Sequence, residues 1–359
     1  MSMKAFCYNW MCMISKFLKP KKLQAGDTVA VLSPSWAGPS VFPAVYENGL
    51  KVLKEWGLVI KEYPTTRASS DQSLENAEKR AKDINDAFAD KEVKAIFASI
   101  GGDDAVRLLP FLNKDVISNN PKIFMGYSDT TVLLTYLNQL GLVTFNGPSI
   151  MAGFSQMQSL PDEFKKHVYD ILFEPSETYT YPRFNTYCDG YLDWSKDENL
   201  GKIETLKSDS GMRTIQGSGS VSGKLFGGCI EVLEFLKGTK FYPEENFWQG
   251  KILFLETSEE KPSMLSVKRI LRNYGVQEVF DKIEAIIFSR ARDYTDEEKQ
   301  KLDDALLEVI SIEFGKNNLP IVSNAEFGHT DPQIILPNGI DIEIDLDNSK
   351  LKLIENCVR

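Results

Sequence analysis

The feature that most constrains the fold is a repeated alternation of short apolar runs with helix-like segments between Thr28 and Phe145. Each run has the length of a strand and ends at Gly, Pro or a polar turn, whereas the intervening segments carry apolar residues at helical spacing. Continuous apolar runs of this kind are typical of strands that are buried on both faces. The alternation therefore predicts a largely parallel sheet that is covered by helices on both sides.

The composition changes near Gly147 and Pro148, and the pattern that follows is different. Residues 185–222 are rich in Gly, Ser, Asp and Tyr, which indicates long loops and short strands. Ile340–Leu346 alternates strictly and turns back into Leu351–Leu353, which predicts an antiparallel hairpin. We expect four parts, namely an extension at 1–21, a Rossmann-like or flavodoxin-like α/β domain at 22–150, a linker and substrate loop region at 151–222, and an α+β domain with a partly antiparallel sheet at 223–359.

Composition excludes several classes of protein. The net charge of −10 argues against a nucleic-acid-binding surface, which needs clustered Lys and Arg. The five cysteines are scattered and form no C-x-x-C pair, so we expect no structural zinc site, no disulfide framework and a cytoplasmic location. We also expect no other metal and no cofactor. The apolar part of residues 1–20 is too short to span a bilayer and shows no clear cleavage site. We expect it to be peripheral, with no membrane partner.

A single serine stands at the most informative turn of the chain. Ile123–Gly126 reads as a buried strand, and Asp129–Leu137 reads as a mostly buried helix, with Ser128 between them. A strand, a turn with one serine and a helix make the geometry of a nucleophile elbow, although Thr130 stands where G-x-S-x-G has its second Gly. The alternative is that Ser128 is an ordinary N-cap of the helix.

Gly101-Gly102 follows another predicted strand, so it should lie at the same sheet edge as Ser128. The pair could belong to a dinucleotide-binding loop, but G-x-G-x-x-G is absent. It could be a tight turn. It could also let backbone N–H groups approach a reacting carbonyl, which becomes relevant if Ser128 is a nucleophile.

A serine nucleophile needs a base, and the chain has only two histidines. His167 lies in a charged amphipathic segment and is predicted to be solvated. His329 lies in a Gly-, Asp- and Pro-containing turn that could present its ring, or it could be structural. Glu256 ends an apolar strand and could orient an imidazole; the alternative is an ion pair with Lys261 or Arg290. A base of this kind should titrate at about pH 6 to 7.

Three blocks of sequence resemble the LD-carboxypeptidase family of serine peptidases, and most of all its microcin C immunity branch. They are Gly126–Asp129, Leu253–Pro262 and Phe327–Pro332 with Leu336–Gly339, and the resemblance runs from about Lys22 to the C-terminus. It implies a triad of Ser128 as nucleophile, His329 as general base and acid, and Glu256 as orienter. It also implies a homodimer and an oxyanion hole made by the backbone N–H groups of Asp129 and Gly102, with Gly101 beside the substrate.

The resemblance leaves two substrates open. The immunity branch hydrolyses the amide that joins a peptidyl or aminoacyl group to a nucleotide, and an aromatic side chain of an inserted loop stacks on the base. Trp194 lies in the corresponding region, where it could instead be a loop anchor. Murein enzymes of the family remove the terminal D-Ala of a cell-wall tetrapeptide. They tend to have Arg before the glycine pair, where this chain has Ile100, and this difference favours the immunity branch.

Two other classes of function compete with a serine hydrolase. A catalytically idle α/β protein could sequester a peptide or nucleotide, but the presence of all three triad residue types disfavours it. A metal hydrolase would need more histidines than the chain has, and no H-E-x-x-H motif occurs.

Overall fold

The computed structural model describes residues 17–359, so the expectations for residues 1–16, including Cys7 and Cys12, lie outside the described residues. From its first described residue the chain is attached to the fold. Phe17 is buried, the N–H of Leu18 donates to the carbonyl of Gly141 at 2.7 Å, and Lys19 pairs with Glu355 at 2.5 Å. The described end of the expected extension is therefore not peripheral.

The strands and helices alternate along much of the chain, as the apolar runs predict. The strands are β1 Thr28–Leu32, β2 Val59–Glu62, β3 Val93–Ala98, β4 Ile123–Gly126, β5 Thr144–Asn146, β6 Tyr179–Thr180, β7 Thr186–Tyr187, β8 Lys207–Ser208, β9 Arg213–Gln216, β10 Ser220–Cys229, β11 Lys251–Glu256, β12 Ala285–Ser289, β13 Ile321–Ala325, β14 Leu336–Asn338, β15 Asp341–Asp345 and β16 Lys350–Leu353. The α-helices are α1 Gly38–Val41, α2 Pro43–Glu55, α3 Ser70–Glu75, α4 Ala77–Ala89, α5 Lys114–Ser118, α6 Thr131–Gln139, α7 Asp162–Phe173, α8 Ile230–Glu234, α9 Met264–Val276 and α10 Asp296–Leu307.

The first sheet is mostly parallel and has the strand order β14-β5-β4-β3-β1-β2. Its five parallel strands run in the flavodoxin-like order, with β1 and β3 side by side at the point where the order reverses. The sixth strand, β14, comes from near the C-terminus and pairs antiparallel with β5. Ligands of such sheets bind outside the carboxyl ends of the strands near this reversal, where Gly101 and Ser128 follow β3 and β4.

The second sheet is mixed and has the order β6-β16-β15-β10-β11-β12-β13-β9. Strands β10 to β13 form a parallel centre, and the predicted hairpin is present as antiparallel β15 and β16. This partly antiparallel sheet confirms the α+β character expected for the second half of the chain.

The core runs through both sheets. Successive residues of one strand enter opposite clusters, as Val29 and Ala30 of β1 do in the first sheet and Ile252 and Leu253 of β11 do in the second. Each cluster thus contains side chains from both sheets, and the burial of both faces explains why the strands read as continuous apolar runs.

The two sheets meet where the elbow helix α6 packs on β10. The Thr131 hydroxyl accepts a hydrogen bond from the N–H of Cys229 at 3.2 Å, and a Cβ at Gly228 would lie only 2.5 Å from Thr131 Cγ2. Glycine at position 228 is therefore required for this close approach of strand and helix.

Several sequence expectations concern absences. Within residues 17–359, Cys188, Cys229 and Cys357 are free and buried. No helix in that range is both long and apolar enough to cross a bilayer.

The prediction that His167 is solvated is wrong. Its ring is buried in α7, where Nε2 accepts from the N–H of Ile335 and Nδ1 contacts the Tyr179 hydroxyl, both at 2.8 Å. Burial lowers the pKa of His167 to about 3. The sequence prediction relied on charged neighbours such as Lys166, which is indeed exposed. The His167 ring instead faces the segment that leads into β14.

His167→Gln should change how stability depends on pH. The pKa of His167 is lower in the folded than in the unfolded protein. The contribution of the neutral ring to the free energy of unfolding is therefore complete above about pH 6.5, and below that pH it falls by about 1.4 kcal/mol per pH unit. At pH 7.5 we expect the variant to be less stable by about 1–3 kcal/mol, because the Ile335 N–H loses a well-placed acceptor. At pH 5 the difference should shrink or reverse. Denaturant unfolding at both pH values measures it, and a constant difference would contradict a neutral, buried His167.

Candidate active site

Ser128 occupies the sharp turn between β4 and α6. Its φ angle is +58°, in the left-handed region that non-glycine residues rarely adopt. A short 3₁₀ turn over Ser128–Thr130 leads directly into α6. A Cβ at Gly126 would lie 3.0 Å from Thr130 Cγ2. Glycine at position 126 thus makes room for the threonine that departs from G-x-S-x-G, and the backbone has the strained geometry of a nucleophile elbow.

Gly101 lies directly against the serine. A Cβ at Gly101 would be 2.9 Å from Ser128 Oγ and 3.5 Å from the backbone N of Asp129. Gly102 has a φ of +147°, and its Cβ would collide with Ser35 Oγ at 2.1 Å. The structure therefore brings Gly101 to the serine and to the first N–H of the elbow, and it places Gly102 against the loop after β1.

The loop that carries the glycine pair is held by buried charged groups. The Asp129 side chain is buried, accepts from the N–H of Ala105 at 2.8 Å, and has its pKa raised by that burial. Arg80 of α4, also buried, donates to both carboxylate oxygens of Asp104 at 2.8 and 2.7 Å and to the carbonyl of Pro34 at 2.9 Å. These bonds connect the loops after β1 and β3 to the elbow.

Glu256 and His329 form the second half of the site. The Glu256 carboxylate is fully buried at the end of β11, and its Oε2 lies 2.8 Å from His329 Nδ1. A Cβ at Gly328, whose φ is +91°, would lie 2.1 Å from the same oxygen, so glycine at 328 lets the histidine turn approach the carboxylate. The alternative partners are engaged elsewhere, since Lys261 pairs with Glu298 and Arg290 with Asp209.

His329 is placed against the elbow. Its ring packs edge-on against Tyr127, the residue before Ser128, with the ring centroids 4.9 Å apart. Ser128 and His329 both line one cleft of about 420 Å³. Because Nδ1 is engaged by Glu256, Nε2 is the nitrogen left to exchange a proton with a hydroxyl.

The turn that presents His329 is tied to two other segments. Tyr191 donates its hydroxyl proton to Asp331 Oδ2 at 2.8 Å, and its oxygen lies 3.1 Å from the Tyr127 hydroxyl. Buried Arg290, just after β12, donates to Thr330 Oγ1 at 2.9 Å and to the Pro332 carbonyl at 3.0 Å. The loop region 151–222 thereby contacts both the serine side and the histidine side of the site.

A second carboxylate contacts the imidazole. Glu259 Oε2 lies 3.0 Å from His329 Nε2, and the Glu259 side chain is 55% exposed. Burial alone would lower the pKa of His329, but the charges of Glu256 and Glu259 raise it well above its ordinary value. The contact with His329 in turn lowers the pKa of Glu259 to about 2. The sequence interpretation considered only one carboxylate, and the second one shifts the pKa of His329 further upward.

Aromatic and charged side chains complete the cleft. Trp36, Tyr191 and Trp194 line it together with Asp103, Glu260 and Arg292. Trp194 contacts Phe42 edge-on, with centroids 5.7 Å apart, and Tyr191 at 5.5 Å. It is thus both a wall of the cleft and an anchor of its own loop. No group of His, Cys, Asp and Glu suited to a metal ion occurs in the described part of the chain.

Sequence reasoning missed residues that shape this site, namely Arg80, Tyr191, Glu259 and Arg292. Glu259 offered a signal, because it lies three residues after Glu256 in the same turn. Arg80 gave none, since it belongs to a helix whose charges otherwise look solvated.

Known proteins are similar to this chain over most of its length. The microcin C7 self-immunity protein MccF of Escherichia coli is 29% identical over 336 residues, which cover 93% of this chain and 94% of that protein. A probable murein peptide carboxypeptidase of Bacillus subtilis is 29% identical over 326 residues, or 89% of each chain. The structure of MccF in complex with glutamyl sulfamoyl guanosine superposes with a TM-score of 0.85 at 29% identity, covering 95% of this chain and 100% of that one.

The family comparison covers both halves of the site. Residues 29–147 match the LD-carboxypeptidase N-terminal domain, which includes Ser128, and residues 222–344 match the LD-carboxypeptidase C-terminal domain, which includes Glu256 and His329. The chain therefore belongs to the LD-carboxypeptidase family of peptidases.

Proposed function

We propose that this peptidase is a serine hydrolase with Ser128 as nucleophile, His329 as general base and acid, and Glu256 as the group that orients the imidazole. The observation that carries the proposal is the buried contact between Glu256 and His329 Nδ1, in a ring that packs on the neighbour of Ser128. This contact fixes the tautomer in which Nδ1 carries the proton and Nε2 is the basic nitrogen.

The reaction follows from these positions. Ser128 Oγ attacks the carbonyl carbon of the substrate amide and passes its proton to His329 Nε2, and the carbonyl electrons move to the oxygen. When the tetrahedral intermediate collapses, the carbon–nitrogen bond breaks and Nε2 returns the proton to the leaving nitrogen. Water, deprotonated by the same nitrogen, then releases the acyl group from Ser128.

The developing negative charge needs donors beside the serine. We assign them to the N–H groups of Asp129 and Gly102, since Gly101, the residue before Gly102, lies against Ser128 Oγ and close to the Asp129 amide. The N-terminal end of α6 adds partial positive charge.

The substrate we favour is an amide next to a nucleotide phosphate, as in peptidyl- or aminoacyl-nucleotides related to microcin C. The relative MccF is known in complex with glutamyl sulfamoyl guanosine, and Trp36 and Trp194 offer aromatic surfaces for a base in the same cleft as Ser128. We assign Trp194 to base stacking. The cytoplasmic location and the homodimer are further proposals; the first is supported by the scattered cysteines and the second by the resemblance alone.

A murein tetrapeptide is the alternative substrate, and the Bacillus subtilis relative supports it. Purified protein offered a murein tetrapeptide and an aminoacyl sulfamoyl adenosine side by side should release the aminoacyl group. Faster release of D-Ala would transfer the assignment to cell-wall peptides.

Ser128→Ala should lower kcat by about 10³-fold or more, because the covalent step is lost while binding surfaces remain. Ser176→Ala, at an exposed serine, provides the control and should keep the wild-type rate. Mass spectrometry of the released acyl group gives the rates, and thermal unfolding checks that both variants fold. A Ser128→Ala variant with an unchanged rate would remove this serine from the mechanism.

Gly101→Ala distinguishes backbone approach from an ordinary turn. The new Cβ would meet Ser128 Oγ at 2.9 Å, so we expect kcat/KM to fall by about 10²-fold or more as the nucleophile is displaced. Steady-state kinetics on folded protein measure the loss. An activity within a few-fold of wild type would mean that Gly101 serves only the turn.

A further inference from the structure

The Glu259 carboxylate lies beside the nitrogen that catalysis needs. Its Oε2 lies 3.0 Å from His329 Nε2, which is the nitrogen that must accept the serine proton under the proposed function. While this carboxylate is in place, it favours the protonated imidazole, which is the form that cannot take the serine proton. Movement of Glu259 away from His329 would therefore increase the fraction of protein in which the base is neutral.

We propose that Glu259 is a specificity residue that binds an ammonium group adjacent to the scissile amide, and that this ammonium draws the carboxylate away from His329. The inference rests on the proposed serine hydrolase function and deepens it. It identifies the acyl side of the substrate as an aminoacyl group with a free α-amino group.

The surrounding loop does not depend on the Glu259 side chain. Ser258 is fixed on one side, since its N–H and hydroxyl both donate to Glu231 Oε1, at 3.0 and 2.7 Å. Lys261 is fixed on the other side by Glu298 at 2.9 Å. Glu259 lies between these anchors with more than half of its side chain exposed, so the carboxylate can change partners without moving the backbone.

The charges around His329 favour a cationic group of the substrate as the new partner of Glu259. Glu256, Glu259 and the Tyr127 ring face the imidazole. The nearby cation of the cleft is Arg292, whose Nε is engaged by Asp293 at 3.1 Å. Asp103 and Glu260 add further negative charge to the lining. A cationic substrate group is therefore attracted to this side of the cleft, and an anionic one is repelled.

Covalent geometry places an α-ammonium at the right point. The α-nitrogen is two bonds from the carbonyl carbon, so it lies within a few ångströms of Nε2 when that carbon is in reach of Ser128 Oγ. An internal residue of a peptide has an acylated, uncharged α-nitrogen at this place. Glu259 should therefore favour aminoacyl over N-acylated substrates, and binding of the ammonium should restore the base that the reaction uses.

The test compares alanyl sulfamoyl adenosine with its N-acetylalanyl counterpart at pH 7, where the α-amino group is mostly protonated. We expect the wild-type protein to prefer the free amine by about 10-fold or more in kcat/KM, a preference typical of one charge-assisted hydrogen bond. In Glu259→Gln the two substrates should become nearly equal. Glu177→Gln removes the same charge at an exposed glutamate outside the cleft and should keep the preference within about twofold, since a distant exposed charge is screened.

A second readout follows the imidazole itself. The chain has two histidines, so NMR of their ring protons can follow each one, with His167→Gln for assignment. Glu259→Gln should lower the pKa of His329 and move the acid limb of kcat/KM for the N-acetyl substrate to lower pH, which a purely structural role would not do.

The outcomes separate the two proposals. If the wild-type protein hydrolyses both substrates equally, or Glu259→Gln keeps the preference, Glu259 does not bind an ammonium and the serine hydrolase proposal is unaffected. If the folded wild-type protein hydrolyses neither these substrates nor a murein peptide, the proposed function fails and the inference fails with it.

Discussion

The site depends on one buried interaction, the contact between the Glu256 carboxylate and His329 Nδ1 at 2.8 Å. A carboxylate at the end of an apolar strand loses its hydration on burial and is strongly destabilising unless a polar partner replaces the water. Gly328 allows the histidine turn to come close enough to be that partner. The same contact orients the His329 ring toward the cleft. One interaction therefore both replaces the lost hydration of Glu256 and positions the proposed base.

The Glu256–His329 pair can serve the proposed reaction only because the two sheets hold Ser128 in the same cleft. Strand β14 follows the histidine turn and pairs with β5 of the first sheet, and α6, behind Ser128, packs on β10 through Thr131 and Gly228. The chain thus crosses between the sheets on both sides of the site. Tyr191 closes the arrangement by contacting Tyr127 and Asp331. The carboxyl ends of β3, β4 and β11 all point to this junction, the region of parallel sheets where ligands bind.

Sequence patterns were informative where the signal lies in a few neighbouring residues. The strand before Ser128, the glycine turn after β3 and the carboxylate that ends β11 can each be recognised from a few neighbouring residues, and the mostly parallel sheet follows from the alternation of the apolar runs. They failed where a long-range contact decides the role. His167 is a buried acceptor because α7 packs on the approach to β14, and Arg80 is buried because two distant loops converge on it. Glu259 shows the same limit, since its role depends on how the turn after β11 folds back onto His329.

Reaction of the folded protein with a serine-reactive fluorophosphonate at pH 8, followed by peptide mass spectrometry, tests most directly whether the two sheets assemble one nucleophile. The predicted result is an adduct on Ser128 in the wild-type protein that is lost in His329→Gln, because the hydroxyl needs the imidazole to become reactive. A wild-type protein that binds an aminoacyl sulfamoyl adenosine but is never labelled at Ser128, or a Ser128 adduct that forms equally well in His329→Gln, would contradict the account.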